Sequence, residues 1–129
     1  MSRILLVEDE ALNRTLVKAV LARAQIAAVR DAAIVDAPDL ATARERLSTE
    51  PIDLMLLDLN LPDGNGLTLA RQLAGGEIQP AGQRPVVVAV TASVLPQDRA
   101  AALAAGCDGF LDKPYAAADL VAVVAEHLT

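Results

Sequence analysis

Five polar side chains stand where apolar runs end: Glu8 and Asp9 after "RILLV", Asp58 after "DLMLL", Thr91 after "PVVVAV" and Lys113 after "GFLD". Carboxylates brought together repel one another and raise each other's pKa unless a cation joins them. An all-oxygen donor set with no His and no Cys suits a hard divalent ion. An open site of two or three carboxylates suits Mg²⁺, with Mn²⁺ as a substitute. Lys113 adds a compact positive charge and Thr91 a hydroxyl, both suited to holding oxygens of a transferring phosphoryl group. The chemistry open to this set is attack of the Asp58 carboxylate on phosphorus. The product, a mixed anhydride, forms only if metal and lysine offset the incoming charge.

Bringing these residues together requires a sheet. Apolar runs at 3–8, 32–37, 53–58, 85–90 and 109–112 predict five strands. The third and fourth are apolar without alternation, as expected of parallel strands covered on both faces. The intervening segments read as helices. Residues 11 to about 28 place Leu12, Leu16 and Val20 on one face and Asn13, Arg14 and Lys18 on another, the spacing of an amphipathic helix. Segments 39–48, the stretch after Gly64, 96–105 and 116–128 complete the alternation. The expected fold is α/β, a doubly wound (βα)5 flavodoxin-like sandwich with a five-stranded parallel sheet of order 2-1-3-4-5. Its ligand crevice opens at the carboxyl ends of the first and third strands, where Glu8, Asp9 and Asp58 stand. All seven glycines lie at or after Gly64, so no glycine caps the passage from the first helix to the second strand.

Size and charge set the outer limits. The 129 residues fit one domain, 1–129, and the net charge of −6 argues against nucleic acid and anionic membranes as partners. One cysteine, Cys107, cannot form an internal disulfide. The start "MSRILLVEDE" is too short in apolar residues for a signal peptide, and no run is long enough to span a membrane. The expected location is the cytoplasm. The chain ends right after the fifth helix, so output is expected to lie in another protein.

Weaker signals fall to plainer readings. Asp36, Asp39 and Asp63 read as helix caps or loop residues. "DLNLPDG" misses the calcium-loop register, with Pro62 at the fifth position and Leu69 where a bidentate Glu belongs. The "NRT" at 13–15 falls inside a helix, and His127 reads as a surface residue near a helix end. Cys107 reads as a small apolar residue.

Taken in order, "ILLVEDE", "LLDLNLPDGNGL", "VVAVTAS" and "GFLDKPY" resemble the four signature segments of response regulator receiver domains of two-component signalling. The resemblance covers essentially the whole chain. It implies that Asp58 is the phosphoacceptor, that Glu8 and Asp9 are the acidic pair holding Mg²⁺, and that Asn60 lends the metal its backbone carbonyl. It further implies that Thr91 is the switch hydroxyl, Lys113 the family's lysine and Phe110 the aromatic switch residue, and that the Lys113–Pro114 bond is cis. Asn60 and Ser93 match positions lining the approach of hydrolytic water.

The implied partners are a histidine kinase or histidine phosphotransfer protein and a downstream effector. The implied role is that of a phosphoacceptor rather than an enzyme. The paired winged-helix regulators of the family use charged residues on the face of their last helix to dimerise. The last helix here carries no Lys or Arg, so a monomer that does not bind DNA is expected.

Asn13 within "VEDEALN", together with "GCDGFLDKPY", is similar to receivers of hybrid histidine kinases and of single-domain regulators resembling the polar cell-division regulator of alphaproteobacteria. Two features depart from the family pattern: Pro38-Asp39 after the second strand, and a long segment between the first helix and that strand. Two other readings stand beside this one. A flavodoxin-like electron carrier needs a hydroxyl-rich loop for a flavin phosphate, where "EDEALN" presents three acids. A constitutive interaction module with a vestigial acid pocket would take no phosphate.

Overall fold

A β-run, helix and β-run recur along the chain because each apolar strand needs cover on both faces. The computed structural model describes residues 2–92 and 95–128. Its elements are β1 (Arg3–Val7), α1 (Ala11–Ala22), α2 (Ala27–Arg30), β2 (Ala33–Ala37), α3 (Leu40–Thr49), β3 (Leu54–Asp58), β4 (Asn60–Leu61), β5 (Gly64–Asn65), α4 (Gly66–Ala74), β6 (Val86–Thr91), α5 (Pro96–Ala104), β7 (Gly109–Asp112) and α6 (Ala117–Leu128). The main sheet is parallel throughout, in the order β2-β1-β3-β6-β7. That is the expected 2-1-3-4-5 once the small antiparallel pair β4–β5 is set aside.

Alternate strand residues serve opposite layers. Leu5, Val7, Met55, Leu57, Val87 and Ala89 face a layer that contains Leu40, Leu47, Leu69 and Leu73. Ile4, Leu6, Leu54, Leu56, Val88 and Val90 face one built on Val17, Leu21, Leu120 and Val124. The period of two is present but hidden, because both faces are apolar. Each fully buried Leu or Ile contributes about 1.5–3 kcal/mol, enough for Ala, Val, Leu and Ile to hold the core with few aromatics.

The first helix differs from expectation. It ends at Ala22 instead of running to about 28, and a separate turn of helix, α2, follows. Its buried residues are Val17 and Leu21, whereas Leu12 and Leu16 are 68% and 54% exposed. The helix carries two apolar stripes, and polar anchors decide which turns inward. Arg14 and Lys18 lie 3.6 and 2.6 Å from Asp36 at the end of β2, and Arg14 also donates to the Glu8 carbonyl at 2.7 Å. Those bonds rotate Val17 and Leu21 onto the sheet. With no glycine to close α1, its last turn closes on its own backbone, the Arg23 and Ala24 N–H groups donating to the Val20 and Leu21 carbonyls, and the Arg30 guanidinium holds the loop that follows by donating to the carbonyls of Ala24 and Gln25 at 3.3 and 3.4 Å. Buried Ala24 and Val29 seat the segment.

Asp39 caps α3 through the Thr42 N–H at 2.8 Å. Asp63 reaches the same helix end from the β4–β5 turn, accepting from Leu40 N–H at 2.9 Å and Ala41 N–H at 3.2 Å. The Leu40 bond holds the Asp63 carboxyl below its ordinary range. A residue with a plain capping role thus ties the hairpin beside Asp58 to α3. Asp36 is an ion-pair partner and not a cap.

Candidate functional site

Parallel pairing sets Val7 against Leu57, so the next residues on each strand, Glu8 and Asp58, emerge side by side at the carboxyl end of the sheet. One carboxylate oxygen from each of Glu8, Asp9 and Asp58 lies within 4.8 Å of the others. Glu8 and Asp58 are only 6% and 5% exposed, while Asp9 faces solvent. Around Mg²⁺, with oxygens at about 2.1 Å, neighbouring donors stand about 3 Å apart and opposed ones about 4.2 Å. The three carboxylates therefore fit one hard cation after a small closure. The exposed side at Asp9 leaves room for water or a phosphoryl oxygen.

Each buried carboxylate is oriented by named donors. Glu8 accepts from the Asn13 amide on Oε1 and from the Glu10 N–H on Oε2, both at 3.3 Å. Burial pushes its carboxyl above the ordinary range, and the neighbouring Asp58 charge adds to the rise. Asp58 accepts from the Asn60 N–H on Oδ1 and from Lys113 Nζ on Oδ2, both at 2.9 Å. Lys113 Nζ is also 3.8 Å from Glu8 Oε1.

Burial draws the Lys113 ammonium down, but the Asp58 hydrogen bond and the Asp58 and Glu8 charges outweigh it, so its net shift is upward. A buried pair of this kind adds little net stability, since desolvation offsets most of the attraction. Its value is positional. The Lys113 backbone is fixed by its N–H to the Thr91 carbonyl at 2.8 Å, and the Lys113–Pro114 bond is cis, as expected. The strand end has no slack either: a Cβ on Gly66 would lie 2.6 Å from the Asp58 carbonyl oxygen, so only glycine lets α4 begin there.

Thr91 ends β6 one residue beyond Val90, the partner of Asp58 in register, and is half-buried. Phe110 on β7 pairs with Ala89 on β6 and is half-buried, with the Arg99 guanidinium 5.1 Å from its ring centroid. Asn60 opens β4 beside the pocket. Ser93, the other residue expected on the water path, lies outside the described residues. Glu8, Asp9, Asp58, Asn60, Thr91 and Lys113 thus fall at the carboxyl end of the sheet, while Phe110 sits two residues before the end of β7.

The sequence reading missed Arg14, Gly66 and Arg99. A glycine two residues beyond a turn is a detectable signal. Nothing in the linear pattern tells which arginines turn inward.

His127 is half-buried: its Nδ1 lies 2.9 Å from the Val123 carbonyl, and its ring sits where a Cβ on Gly109 would be. Cys107 is buried, and burial pushes its thiol up to about 11. With almost no thiolate at neutral pH, native protein should resist iodoacetamide over hours and react within minutes once denaturant is added. Mass spectrometry reads both arms, and fast native alkylation would contradict this packing. Among the described residues no helix is long and apolar enough to cross a membrane.

The family model for the response regulator receiver domain matches residues 4–125. A two-component response regulator of Oryza sativa subsp. japonica, ORR41, is 35% identical over 129 residues, covering 98% of this chain and 94% of that protein. The aerobic respiration control sensor protein ArcB of Escherichia coli is 36% identical over 125 residues, which are 94% of this chain but 14% of ArcB. Among solved structures, the receiver domain of the Pseudomonas aeruginosa sensor histidine kinase PA1611, with magnesium in its active site cleft, superposes with a TM-score of 0.79. It is 28% identical, and the match covers 98% of this chain and 97% of that one. The Vibrio cholerae chemotaxis protein CheY4 shares the fold, with a TM-score of 0.83 at 20% identity over 99% of both chains.

This chain belongs to the response regulator receiver family. It is a phosphorylation-driven signalling domain of the two-component type, and nothing in these likenesses favours an electron carrier.

Proposed function

We propose that Asp58 accepts a phosphoryl group from a phosphohistidine. The observation carrying this is a buried carboxylate held by Lys113 at 2.9 Å with two further carboxylate oxygens within 4.8 Å. Glu8, Asp9, Asp58 and the Asn60 carbonyl are the ligands for Mg²⁺, which when bound supplies charge neutralisation at the phosphoryl oxygens. An Asp58 oxygen attacks phosphorus in line with the departing imidazole nitrogen. One O–P bond forms as the P–N bond breaks. Lys113 stays beside the acceptor and follows the transferred charge, and the Thr91 hydroxyl donates to another phosphoryl oxygen.

The test is labelling by acetyl phosphate. Label should appear on the peptide containing Asp58 only when Mg²⁺ is present and vanish with EDTA. Labelling indifferent to chelation would sink the reading, and no labelling at all would leave the vestigial-module alternative in its place.

The protein acts as the switch and not as an enzyme on other substrates, as a monomer in the cytoplasm, with 1–129 as one domain. Its donor is a histidine kinase or histidine phosphotransfer protein. Relatives in which such a domain is a small part support that class: this chain spans 3% of a Dictyostelium hybrid signal transduction histidine kinase and 14% of ArcB.

The donor docks on the α1 face that polar anchors leave outward, where Leu12 and Leu16 are exposed and Leu16 shares a cavity with Glu8 and Lys113. Leu16→Asp should cut phosphotransfer from a protein phosphohistidine donor at least about tenfold, the loss of a modest interface anchor. Its acetyl phosphate rate should stay at wild type. Equal loss from both donors would mean a damaged pocket, and no loss from either would move the docking face elsewhere.

A further inference from the structure

Glu8 and Asp9 are consecutive, so the plane of the peptide between them sets how one carboxylate stands to the other. Both backbone groups of Glu8 are held from outside its own strand. Its N–H donates to the Ala37 carbonyl at the end of β2, at 3.0 Å. Its carbonyl accepts from Arg14 Nη1 on α1, at 2.7 Å, and that bond fixes the Glu8–Asp9 peptide plane. Asp9 faces solvent, so the backbone that carries it decides its aim.

Arg14 is itself held. Its side chain is only 20% exposed, and its Nε lies 3.6 Å from Asp36 Oδ2, an oxygen that Lys18 Nζ reaches at 2.6 Å. Asp36 lies on β2, at the edge of the sheet and in register with Leu6. It is not one of the three carboxylates that converge on the pocket. The guanidinium therefore joins two places through a rigid fork, an anchor on the edge strand and the carbonyl of a pocket residue.

We infer that Arg14 is a positioning residue for Mg²⁺ and that Asp36 acts on the metal through it. Together they hold the Glu8–Asp9 peptide in the plane that lets both carboxylates meet Asp58. This role rests on the reading of those three acids as metal ligands. Charge and position predict opposite signs. A guanidinium beside a cation site repels the cation, so an Arg14 acting by charge would weaken Mg²⁺ binding, and its removal would tighten it. An Arg14 acting by holding the peptide strengthens the site, and its removal loosens it. Loss of a group that orients a metal ligand lowers affinity about 10–100-fold.

The test is a Mg²⁺ titration of the full chain, following the amides of residues 8–10 and 58–60. Salt is kept at about 0.15 M, where exposed charges more than about 8 Å apart are largely screened. Arg14→Met should raise the Kd for Mg²⁺ about tenfold. Asp36→Ala should raise it about threefold, the worth of a part-exposed ion pair. In the Arg14→Met background Asp36→Ala should add nothing, since the anchor has no arginine left to hold. Arg14→Lys keeps the charge but cannot bridge both places, so its Kd should fall between those of Arg14→Met and wild type.

A Kd unchanged or lowered by Arg14→Met would overturn the inference. An Asp36→Ala effect of equal size with and without Arg14 would do the same, because it would mark a long-range charge effect. Where Arg14→Met does not fold, Arg14→Lys and Asp36→Ala decide alone, and a wild-type Kd in both overturns it. Wild-type protein that binds no Mg²⁺ would sink the metal reading and this role together, whereas failure of the variants alone leaves the metal reading standing.

Discussion

Asp58→Asn should reduce phosphate incorporation from acetyl phosphate and from a protein donor by more than about a hundredfold, leaving nothing above background at the peptide that carries it. An amide oxygen is a far weaker nucleophile than a carboxylate, and no neighbour is placed to replace it. The Glu8 carboxylate is engaged by Asn13 and by the Glu10 N–H, and Asp9 lies out in solvent. The fold should survive, because the Asn oxygen can still accept from the Asn60 N–H, and Lys113, which loses its acceptor on the other Asp58 oxygen, keeps the Glu8 carboxylate as a counter-charge at 3.8 Å. Lys113→Ala is the companion measurement. It removes one electrostatic donor but keeps the nucleophile, so labelling should slow by about 10²-fold, the usual loss for one such donor. Peptide mapping by mass spectrometry reads both variants. Stoichiometric label in Asp58→Asn at the same peptide would show that Asp58 is not the acceptor.

The chemistry of this protein was more legible in its sequence than the surface around it. Glu8, Asp58, Thr91 and Lys113 could be located because each ends an apolar run, and parallel strands carry their ends to one edge by geometry alone. The order of the sheet followed from the same rule and from right-handed crossovers. The first helix could not be read this way. Leu12, Leu16 and Val20 have the spacing of a buried face, but so do Val17, Leu21 and Ala24. The choice was made by ion pairs from Arg14 and Lys18 to Asp36 across another strand, and no local pattern encodes such a contact. The helix end was hidden for a related reason. It closes on its own backbone without a glycine, and the loop beyond it is held by Arg30, a long side chain folding back onto the Ala24 and Gln25 carbonyls, where a sequence reader looks for glycine. Gly66 and Asp63 show the intermediate case: their types announce a turn, but what they hold, the Asp58 strand end and the α3 N-terminus, emerges only in three dimensions.

Thr91→Ala should uncouple the signal from the chemistry. Thr91 lies on β6 one position past the register partner of Asp58, and it pairs in turn with Asp112 on β7, two residues after Phe110. A hydroxyl drawn toward a phosphoryl oxygen at Asp58 leaves space that the Phe110 ring can enter without losing burial, since a packed interior resists leaving a void. The charge at one end of β3 then becomes a change of shape on the α5, β7 and α6 face.

A ligand shifts such an equilibrium only by its differential affinity for the two states. The strongest new interaction open to Thr91 is a hydrogen bond from its hydroxyl to a charged oxygen, about 1.5–3 kcal/mol. Its loss should lower the ratio of switched to unswitched protein about 10–150-fold at saturating phosphoryl mimic. Labelling of Asp58 should slow but still go to completion at the same peptide, because one phosphoryl-oxygen donor is lost while the nucleophile, Lys113 and the acidic pair remain.

The experiment compares wild type and Thr91→Ala, each with Mg²⁺ and with or without beryllofluoride, by amide shifts over 92–115 and the ring signals of Phe110. Wild type should move Phe110 and the β7 amides, and the variant should bind the mimic with only local shifts near Asp58. A full wild-type pattern in Thr91→Ala, or a Phe110 ring that stays put in the wild type, would mean that the signal leaves the pocket by another route.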